Sequence, residues 1–416
     1  MTMQYIRLTL VSFLLVNISA MGMNYLRPYD TLIRPPYSTR SGFHTAGYIE
    51  GGLRAAQGFN FDGDNVNVLQ IWNCNQDTLA MLDGFPAGSQ IDQLRIAIDS
   101  TDNAFRGHIV PHATLTMPAA GAFELAYQWS KHIWFSLYLP AFTMRLADIN
   151  FTDLTPTVDA QDIRVRDMLT DNLVGNIWTL GCLELTDWRR TGVGDLVGLF
   201  EFLKDFPTAQ RPMLKNVRIN ARVGLNFPTG LRVNPDELFA IPFGYDGALG
   251  IIYGGGLIVT MGCFFKTGFD VELIHLFGNS RTRRIKTAVN QTDLFLFEKT
   301  CVYRDYGLTQ RFNLFVEMFN LVKGASFVWG YQFFKHGDDF YSVVPQTFSS
   351  EIANTAESLQ EYTMHQLIFN LNYRFNTDLC DYDDFSPYIS LYSRIPVNGK
   401  RSALFTTLGA VVGFNF

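Results

Sequence analysis

Charged and amide side chains recur at every second position in several stretches of this 416-residue sequence. Arg218, Asn220 and Arg222 alternate with apolar residues, and so do Asp270 and Glu272. Alternate side chains of an extended chain point to the same side, so each set shares one polar face. Guanidinium and carboxylate groups on such faces can pair with each other or contact a polar solute. The predicted chemistry is therefore ion pairing and solute selection.

Thirteen residues share this predicted polar face and are the candidates for lining an internal lumen. They are Glu124, Gln128, Glu201, Arg218, Asn220, Arg222, Asp270, Glu272, Asn313, Glu317, Asn370, Asn372 and Arg374. Two outcomes are open. Opposed charges could form a ladder across a lumen and set its conductance and selectivity. In a narrow barrel they could instead pair with one another and leave no channel.

Catalytic and metal-binding patterns are weak by comparison. His275 and His365 fall on the apolar phase of their stretches, where a histidine near a membrane rim could act as a general base. Serine, histidine and acid residues form no recognisable constellation, and G-x-S-x-G, H-E-x-x-H and C-x-x-C motifs are absent. The five scattered cysteines suggest isolated thiols, with one disulfide left open. The sequence predicts no catalytic residue, no metal ligand and no cofactor.

The polar face implies strands, because it alternates with apolar residues at a period of two. The strands are long, often 10–16 residues, and their apolar face is rich in aromatic side chains. This combination is typical of transmembrane β-barrels, which turn apolar residues to lipid and polar residues to the lumen. The predicted fold is all-β, an antiparallel up-and-down transmembrane β-barrel of 12–14 strands with long extracellular loops and short periplasmic turns.

The strand count depends on how the N-terminal part is interpreted. Twelve strands are predicted at 402–416, 385–394, 362–377, 323–335, 309–321, 266–279, 248–264, 211–228, 193–204, 132–148, 122–130 and 108–118. The stretches 42–53 and 91–99 also alternate and would raise the count to fourteen. We favour fourteen, because otherwise about 85 residues would have to form a periplasmic or plug segment.

The composition and both ends of the sequence favour an exported membrane protein. Phenylalanine contributes 36 residues, and the net charge of −6 argues against nucleic acid as a partner. Residues 1–22 combine a basic start, an apolar run and small residues, as a secretory signal peptide does. Residues 23–41 form an extended segment, either a plug or periplasmic, and 42–416 form the barrel. The closing strand carries Phe414 and Phe416, and its C-terminal aromatic resembles the signal read by the outer-membrane assembly machinery.

Two neighbouring stretches carry a motif at the expected rim of the barrel. "TGVGDLVGLFEF" (191–202) places Gly194 and Asp195 before a strand, and "INARVGLNFPTG" (219–230) ends the next strand in Pro228, Thr229 and Gly230. Proline and glycine would end the strand there, and the aspartate could accept loop amides. The pair resembles a strand pair of the FadL-like and phenol-degradation (MetA-pathway) outer-membrane transporters. The resemblance implies diffusion of hydrophobic compounds through a barrel plugged by an N-terminal segment.

Three functions are open on this evidence. We favour a bacterial outer-membrane barrel for passive transport of small solutes, hydrophobic ones included. Its partners would be outer-membrane lipids, the barrel-assembly machinery and a small-molecule solute. The alternatives are a structural or adhesive barrel acting through its extracellular loops, and a membrane-embedded lipid hydrolase. The basic stretch "RTRRIK" (281–286) could contact anionic headgroups or polysaccharide, or be a solvated loop.

Overall fold

The computed structural model describes residues 30–34, 42–101, 105–208, 213–320, 322–345, 347–375 and 386–415. The predicted signal peptide (1–22), Cys380 and Phe416 lie outside these described residues. Antiparallel strands make up most of the described chain. None of the described helices is both long and apolar enough to cross a membrane.

Twelve strands form one closed antiparallel barrel within the described residues. In chain order they are β1 (Phe43–Gly52), β2 (His108–Ser130), β3 (Ile133–Asp153), β4 (Leu196–Pro207), β5 (Leu214–Phe227), β6 (Gly250–Met261), β7 (Phe265–Leu276), β8 (Thr309–Phe319), β9 (Ala325–His336), β10 (Tyr362–Arg374), β11 (Ser386–Lys400) and β12 (Thr407–Asn415). Each strand pairs with its neighbours along the chain, and β1 pairs with β12 to close the wall. Closure leaves the wall without a free edge.

The predicted antiparallel barrel is confirmed at twelve strands, and the preference for fourteen is wrong. The predicted strands 108–118 and 122–130 are one continuous strand, β2. The register with β3 shifts between Thr116 and Ala119, which marks a bulge directly before residues 119–121, the break between the two predicted strands. A bulge changes the phase of the side chains without ending the strand, so the alternation is broken although the pairing continues.

The stretch 91–99, predicted as a strand, belongs to a helix at Gln90–Ile98. Ser89 caps this helix, and its Oγ accepts a hydrogen bond from the amide of Asp92 at 3.2 Å. Ile91 and Ile98 are buried, whereas Ile96 is 67% exposed. A spacing of seven residues between the buried isoleucines fits two helical turns, so the apparent alternation was misleading.

The two ends of the barrel differ in the length of their connections, as predicted. The turn end carries the short connections 131–132, 208–213, 262–264 and 320–324, and the medium-length connection 375–385. The loop end carries the long connections 53–107, 154–195, 228–249, 277–308 and 337–361, and the shorter 401–406. Strands enter and leave each end in turn, as an up-and-down barrel requires.

The five long connections pack together at the loop end, and we call their described residues the loop cap. Their short strands, with that of the connection 401–406, are Gln57–Phe59, Asn65–Val66, Gln76–Asp77, Trp188–Val193, Asn279–Arg284, Lys299–Asp305, Phe340–Val343 and Ser402–Leu404. Their helical segments are Val68–Gln70, Ala80–Leu82, Gln90–Ile98, Ala160–Val165, Arg166–Thr170, Leu173–Gly181, Ser350–Ala353 and Glu357–Leu359. Leu169, Ile177, Leu238 and Phe295 of this cap are fully buried in one apolar cluster. The same cluster continues into the barrel through Tyr48 and Phe315, so the loop cap packs on the barrel in one apolar core.

The outer face of the barrel is apolar and aromatic. Exposed outward side chains include Trp129, Phe200, Val223, Phe269, Phe312, Trp329, Leu371, Tyr373, Leu408 and Val412. Several of them alternate with buried polar residues along the strand, as Val223 does with Arg222 and Phe269 with Asp270. The strands thus have the inverted pattern of a barrel in lipid, with apolar residues outside and polar residues inside.

Candidate functional site in the barrel lumen

Residues Asp30–Arg34 form a tight turn inside the barrel, which we call the lumen turn. The amides of Ile33 and Arg34 both donate to the carbonyl of Asp30, at 3.0 and 2.9 Å. Leu32 and Ile33 are at most 1% exposed. A Cβ added to Gly330 on β9 would lie 2.8 Å from the Leu32 side chain, so the turn packs closely on the inner wall.

Arg34 attaches the lumen turn to β3 and β4. Its guanidinium donates to both oxygens of Glu201 at 2.7 Å and to the hydroxyl of Tyr138 at 2.5 Å. Tyr138 in turn donates to Glu124 on β2 at 3.1 Å. Two parallel N–H···O bonds to one carboxylate hold the arginine in a defined orientation, which a single contact would not.

Asp30 attaches the lumen turn to the opposite side of the barrel. Its carboxylate lies 3.1 Å from Arg311 on β8 and accepts a 2.7 Å hydrogen bond from Gln332 on β9. Asn370 on β10 donates to the carbonyls of Leu32 and Ile33, at 3.1 and 2.9 Å. Because β4 and β8–β10 lie on opposite sides of a twelve-stranded ring, the lumen turn crosses the lumen.

A continuous set of ion pairs surrounds the lumen turn. Arg222 donates to Asp270 at 2.5 and 2.8 Å and to Glu272 at 3.2 Å. Arg311 donates to Glu272 at 2.8 Å. In the sheet register, Glu272 lies directly opposite Arg311, so neighbouring strands supply the opposite charges. Every charge in this set is buried and has a partner of opposite sign.

We call this set the polar layer. It consists of Asp30, Arg34, Glu124, Glu201, Arg222, Asp270, Glu272, Arg311, Asn313, Gln332 and Asn370. Glu124 at its edge also lies 3.7 Å from the His44 ring nitrogen and accepts a hydrogen bond from Tyr48.

A cavity of about 390 Å³ lies between the lumen turn and the turn end, and we call it the vestibule. Thr31, Leu32 and Arg34 bound it on one side. Its charged and amide lining residues are Arg34, Glu201, Asn216, Arg218, Asn220, Arg222, Lys266, Glu317, Asn370, Asn372 and Arg374. Arg218 is bonded to Asp205 at 2.7 and 2.9 Å, and Lys266 to Glu317 at 3.0 Å.

The thirteen predicted lumen residues separate into three groups. Glu124, Glu201, Arg222, Asp270, Glu272, Asn313 and Asn370 belong to the polar layer, and Arg218, Asn220, Glu317, Asn372 and Arg374 line the vestibule. Gln128 lies near the turn end, with its amide 3.4 Å from the Lys131 carbonyl, and joins neither group. Their role in solute selectivity stays a prediction.

Sequence reasoning missed several members of the polar layer. Arg311 and Gln332 were visible in principle, because each shares a strand phase with an inward residue, Asn313 in the case of Arg311. Asp30 and Arg34 carry no such signal. They come from an irregular segment, and only the folded chain places them inside the barrel.

The residues of the rim motif form a compact hydrogen-bonded cluster at the loop end. Asp195 accepts hydrogen bonds from the amides of Gly230 and Tyr245, at 2.9 and 2.8 Å, and from Asn226 at 2.9 Å. Thr229 accepts from the amide of Leu196 at 2.9 Å and contacts the carbonyl of Gly194. Within this cluster, Pro228 directly follows Phe227, the last residue of β5.

The backbone at Gly230 leaves no room for a side chain. A Cβ on Gly230 would lie 2.3 Å from the Phe243 carbonyl oxygen and 2.8 Å from a carboxylate oxygen of Asp195. The motif therefore positions the chain where the strand Trp188–Val193 leaves β3 and β4 begins. All of these contacts join residues of the rim motif to one another or to other residues of the same chain.

The basic stretch 281–286 is neither a solvated loop nor a free patch. Arg281 and Arg283 both pair with Asp246, and Lys286 lies 3.4 Å from Asp293. Arg284 donates to backbone carbonyls of three different connections, among them Gly181 at 2.9 Å and Leu296 at 2.8 Å. These cations hold the loop cap together from inside.

A second small group of charges lies in the loop cap above β9. Asp339 bonds to Arg304 at 2.5 and 3.1 Å and to His336 at 2.9 Å, and it accepts the amide of Gly307 at 2.8 Å. Burial raises the pKa of Asp339, but the Arg304 guanidinium and the His336 hydrogen bond outweigh burial and hold this pKa well below its usual range.

The remaining predicted candidates do not form a catalytic group within the described residues. His275 is exposed beside the Phe277 ring, and His365 is bonded to the Tyr331 hydroxyl at 2.6 Å. No described serine or carboxylate contacts either ring. Phe414 lies in β12, whereas Phe416 is not among the described residues.

Four cysteines of the described chain form no disulfide. Cys74, Cys182, Cys263 and Cys301 are all exposed thiols. They lie in the loop cap, in the turn after β6 and in the cap strand Lys299–Asp305. The closure of the barrel and the packing of the described loops therefore depend on non-covalent contacts.

Comparison with known proteins was made at the level of sequence and of structure. No protein-family model and no curated protein matches the chain. Among solved structures, it is similar to an outer-membrane channel from Pseudomonas putida F1, with 13% identity, a TM-score of 0.49, and coverage of 94% of this chain and 100% of that one.

The chain is also similar to two further solved structures. A FadL homologue from Pseudomonas aeruginosa has 10% identity and a TM-score of 0.31, with 96% of this chain and 98% of that one covered. The toluene transporter TbuX of Ralstonia pickettii has 9% identity and a TM-score of 0.31, with 90% and 89% covered. Because each TM-score is below 0.5, the function has to be argued from the geometry of this chain.

Proposed function

We propose that this protein is an outer-membrane barrel through which small solutes pass passively, and that the lumen turn closes it in the conformation described here. The observation that carries the proposal is the contrast between the two faces of the wall. Apolar aromatic residues cover the outside, and ionised groups and a cavity of about 390 Å³ occupy the inside. A barrel that only anchored loops would not need a cavity lined by charged groups.

The location in a membrane rests on the outer face. Trp129, Trp329 and Tyr373 are exposed there by 72%, 53% and 43% of their surfaces. In water such a surface would aggregate, whereas in a bilayer it is the side that contacts lipid. We therefore propose outer-membrane lipids as its surroundings, the barrel-assembly machinery as its route into the membrane, and export by the N-terminal signal peptide.

The proposal includes two classes of solute, hydrophobic and polar. The resemblance to FadL-like transporters implies the hydrophobic class. The vestibule contains apolar lining residues such as Leu32, Phe315 and Val328, but charged and amide residues are more numerous. A hydrophobic solute would have to pass these polar groups without satisfying their hydrogen bonds.

Planar-bilayer recordings of the full-length protein test the proposal. The double variant Asp30→Ala, Arg34→Ala removes the contacts that hold the lumen turn, so we expect higher conductance than in the wild type. Arg95→Ala is the matched control, because Arg95 pairs with Asp83 in the loop cap. Absence of conductance and of solute entry into liposomes, for both wild type and double variant, would overturn the transport proposal.

A second function is favoured by one observation, the apolar core of the loop cap. Leu169, Ile177, Leu238 and Phe295 are buried there, so the loops present a folded surface at the loop end. Such a surface suits a structural or adhesive barrel. The bilayer recordings separate the two functions, because an adhesive barrel requires no conductance even after the lumen turn is released.

A further inference from the structure

The vestibule presents an excess of positive charge. Five cationic and two anionic side chains line it. The two carboxylates, Glu201 and Glu317, are bonded to the lining cations Arg34 and Lys266. The carboxylates that pair with Arg218 and Arg222, including Asp205 and Asp270, are not in the lining. The cavity therefore faces Arg218 and Arg222, whose acidic partners lie behind them, and a cleft with an excess of cations concentrates anions.

Two of these cations belong to strands that are far apart in the sequence. Arg218 on β5 and Arg374 on β10 both line the vestibule. Both lie near the turn end of their strands. An anion bound between these two guanidinium groups would form charge-assisted hydrogen bonds to both.

Amide and hydroxyl groups complete the lining. The Asn216 amide nitrogen donates to Asp205 at 2.5 Å, which fixes the orientation of this side chain. The Oδ1 atoms of Asn216 and Asn220 are buried and accept no hydrogen bond from any described residue. Thr31 and Thr260 add hydroxyl groups to the same cavity. A solute with hydroxyl groups could satisfy these acceptors, which a hydrocarbon could not.

From these observations we propose that the vestibule is a binding site for a small hydroxylated carboxylate, such as a hydroxy acid or a sugar acid. The carboxylate lies between Arg218 and Arg374, and the hydroxyl groups contact the asparagine and threonine side chains. The cavity volume of about 390 Å³ is within the range of small-molecule sites. The inference rests on the proposed channel and names the solute class that it admits.

Isothermal titration of the full-length protein in detergent tests the site, with gluconate and glucose as probes. We expect gluconate to bind about tenfold or more tightly than glucose, because only gluconate can form charge-assisted hydrogen bonds to both arginines. Equal binding of the two probes, or binding of neither, would overturn the inference. Retained binding without conductance would instead contradict the channel and leave the site intact.

Substitutions locate the anion. Arg218→Gln combined with Arg374→Gln should weaken gluconate binding about tenfold or more and leave glucose binding unchanged. Arg374→Lys, which keeps the charge, should retain most of the affinity. Arg189→Gln is the matched control, because Arg189 is exposed in the loop cap. Heat-dependent gel mobility shows whether the double variant is folded. If the folded double variant kept wild-type gluconate affinity, this site would be excluded.

Discussion

Arg222 and Arg311 of the polar layer differ from Arg284 of the loop cap in their hydrogen-bond partners. In the polar layer, Arg222 and Arg311 contact carboxylates on neighbouring strands. In the loop cap, Arg284 contacts mainly backbone carbonyls, those of Gly181 and Leu296 among them. The barrel strands satisfy their own backbone groups, so lumen arginines are available for acids. Irregular loops leave carbonyls without partners, and a planar guanidinium with five donors can bind several of them.

This difference predicts how each region fails. Removing an acid from the polar layer leaves buried charges without compensation within a closed wall. Removing Arg284 from the loop cap leaves mainly neutral carbonyls, and the loops can open locally to water. The following predictions test this contrast in order of decreasing effect.

The largest effect is expected for Glu272→Ala. Glu272 is fully buried and accepts from both Arg222 and Arg311. Its removal should lower the free energy of unfolding by ~3–5 kcal/mol, the usual cost of breaking a buried ion pair. Denaturant unfolding of the barrel in detergent measures the change.

Glu317→Ala is the matched control for that variant. Glu317 is paired with Lys266 at 3.0 Å, and both side chains are partly accessible at the vestibule. The expected loss is about 1 kcal/mol or less. If Glu272→Ala cost no more than Glu317→Ala, charge neutrality of the polar layer would not be what stabilises it.

An intermediate and local effect is expected for Arg284→Met. Loss of its hydrogen bonds to three connections should lower the local stability of the loop cap by roughly 2–3 kcal/mol. Limited proteolysis should then cleave the loops faster, while the unfolding midpoint of the barrel stays at the wild-type value. Arg189→Met serves as the exposed control. A shifted barrel midpoint would show that cap and barrel unfold as one unit.

The smallest effect is a pH dependence in the loop cap. The pKa of Asp339 is lowered by Arg304 and His336 against the effect of burial. Its stabilisation is therefore complete above the unfolded pKa of about 4 and is lost as the pH falls below that value toward the folded pKa. Hydrogen exchange at the Gly307 amide, which donates to Asp339, should accelerate relative to the intrinsic rate on acidification below pH ~4.

Asp339→Asn should remove most of this acid dependence and weaken protection of Gly307 at neutral pH, by about 1 kcal/mol. Asp338→Asn changes the preceding, exposed residue in the same way and should behave as the wild type. Equal acid sensitivity in wild type and Asp339→Asn would mean that another group controls the opening of this part of the loop cap.

Two elements that were predicted wrongly show where a local sequence pattern does not identify the secondary structure. The bulge in β2 shifts the side-chain phase near Ala119. The alternation of apolar and polar residues is interrupted there, and the interruption was interpreted as a loop. The helix Gln90–Ile98 has Ser89 and Asp92 at capping positions, and this signal was available. It was outweighed by alternate apolar residues, because a short amphipathic helix and a short strand can present similar patterns.

The sequence alone determined the barrel and most of its inner surface. Side-chain direction in a strand has a period of two, so the alternation of Arg218, Asn220 and Arg222 was enough to assign a face. The tertiary structure decided which inward groups meet and what fills the lumen. Arg34 contacts Glu201, 167 positions away, and Asp30 contacts Gln332, 302 positions away, and no local pattern records such distances. Closure of the ring brings them together, because a barrel converts contacts between strands distant in sequence into a shared interior.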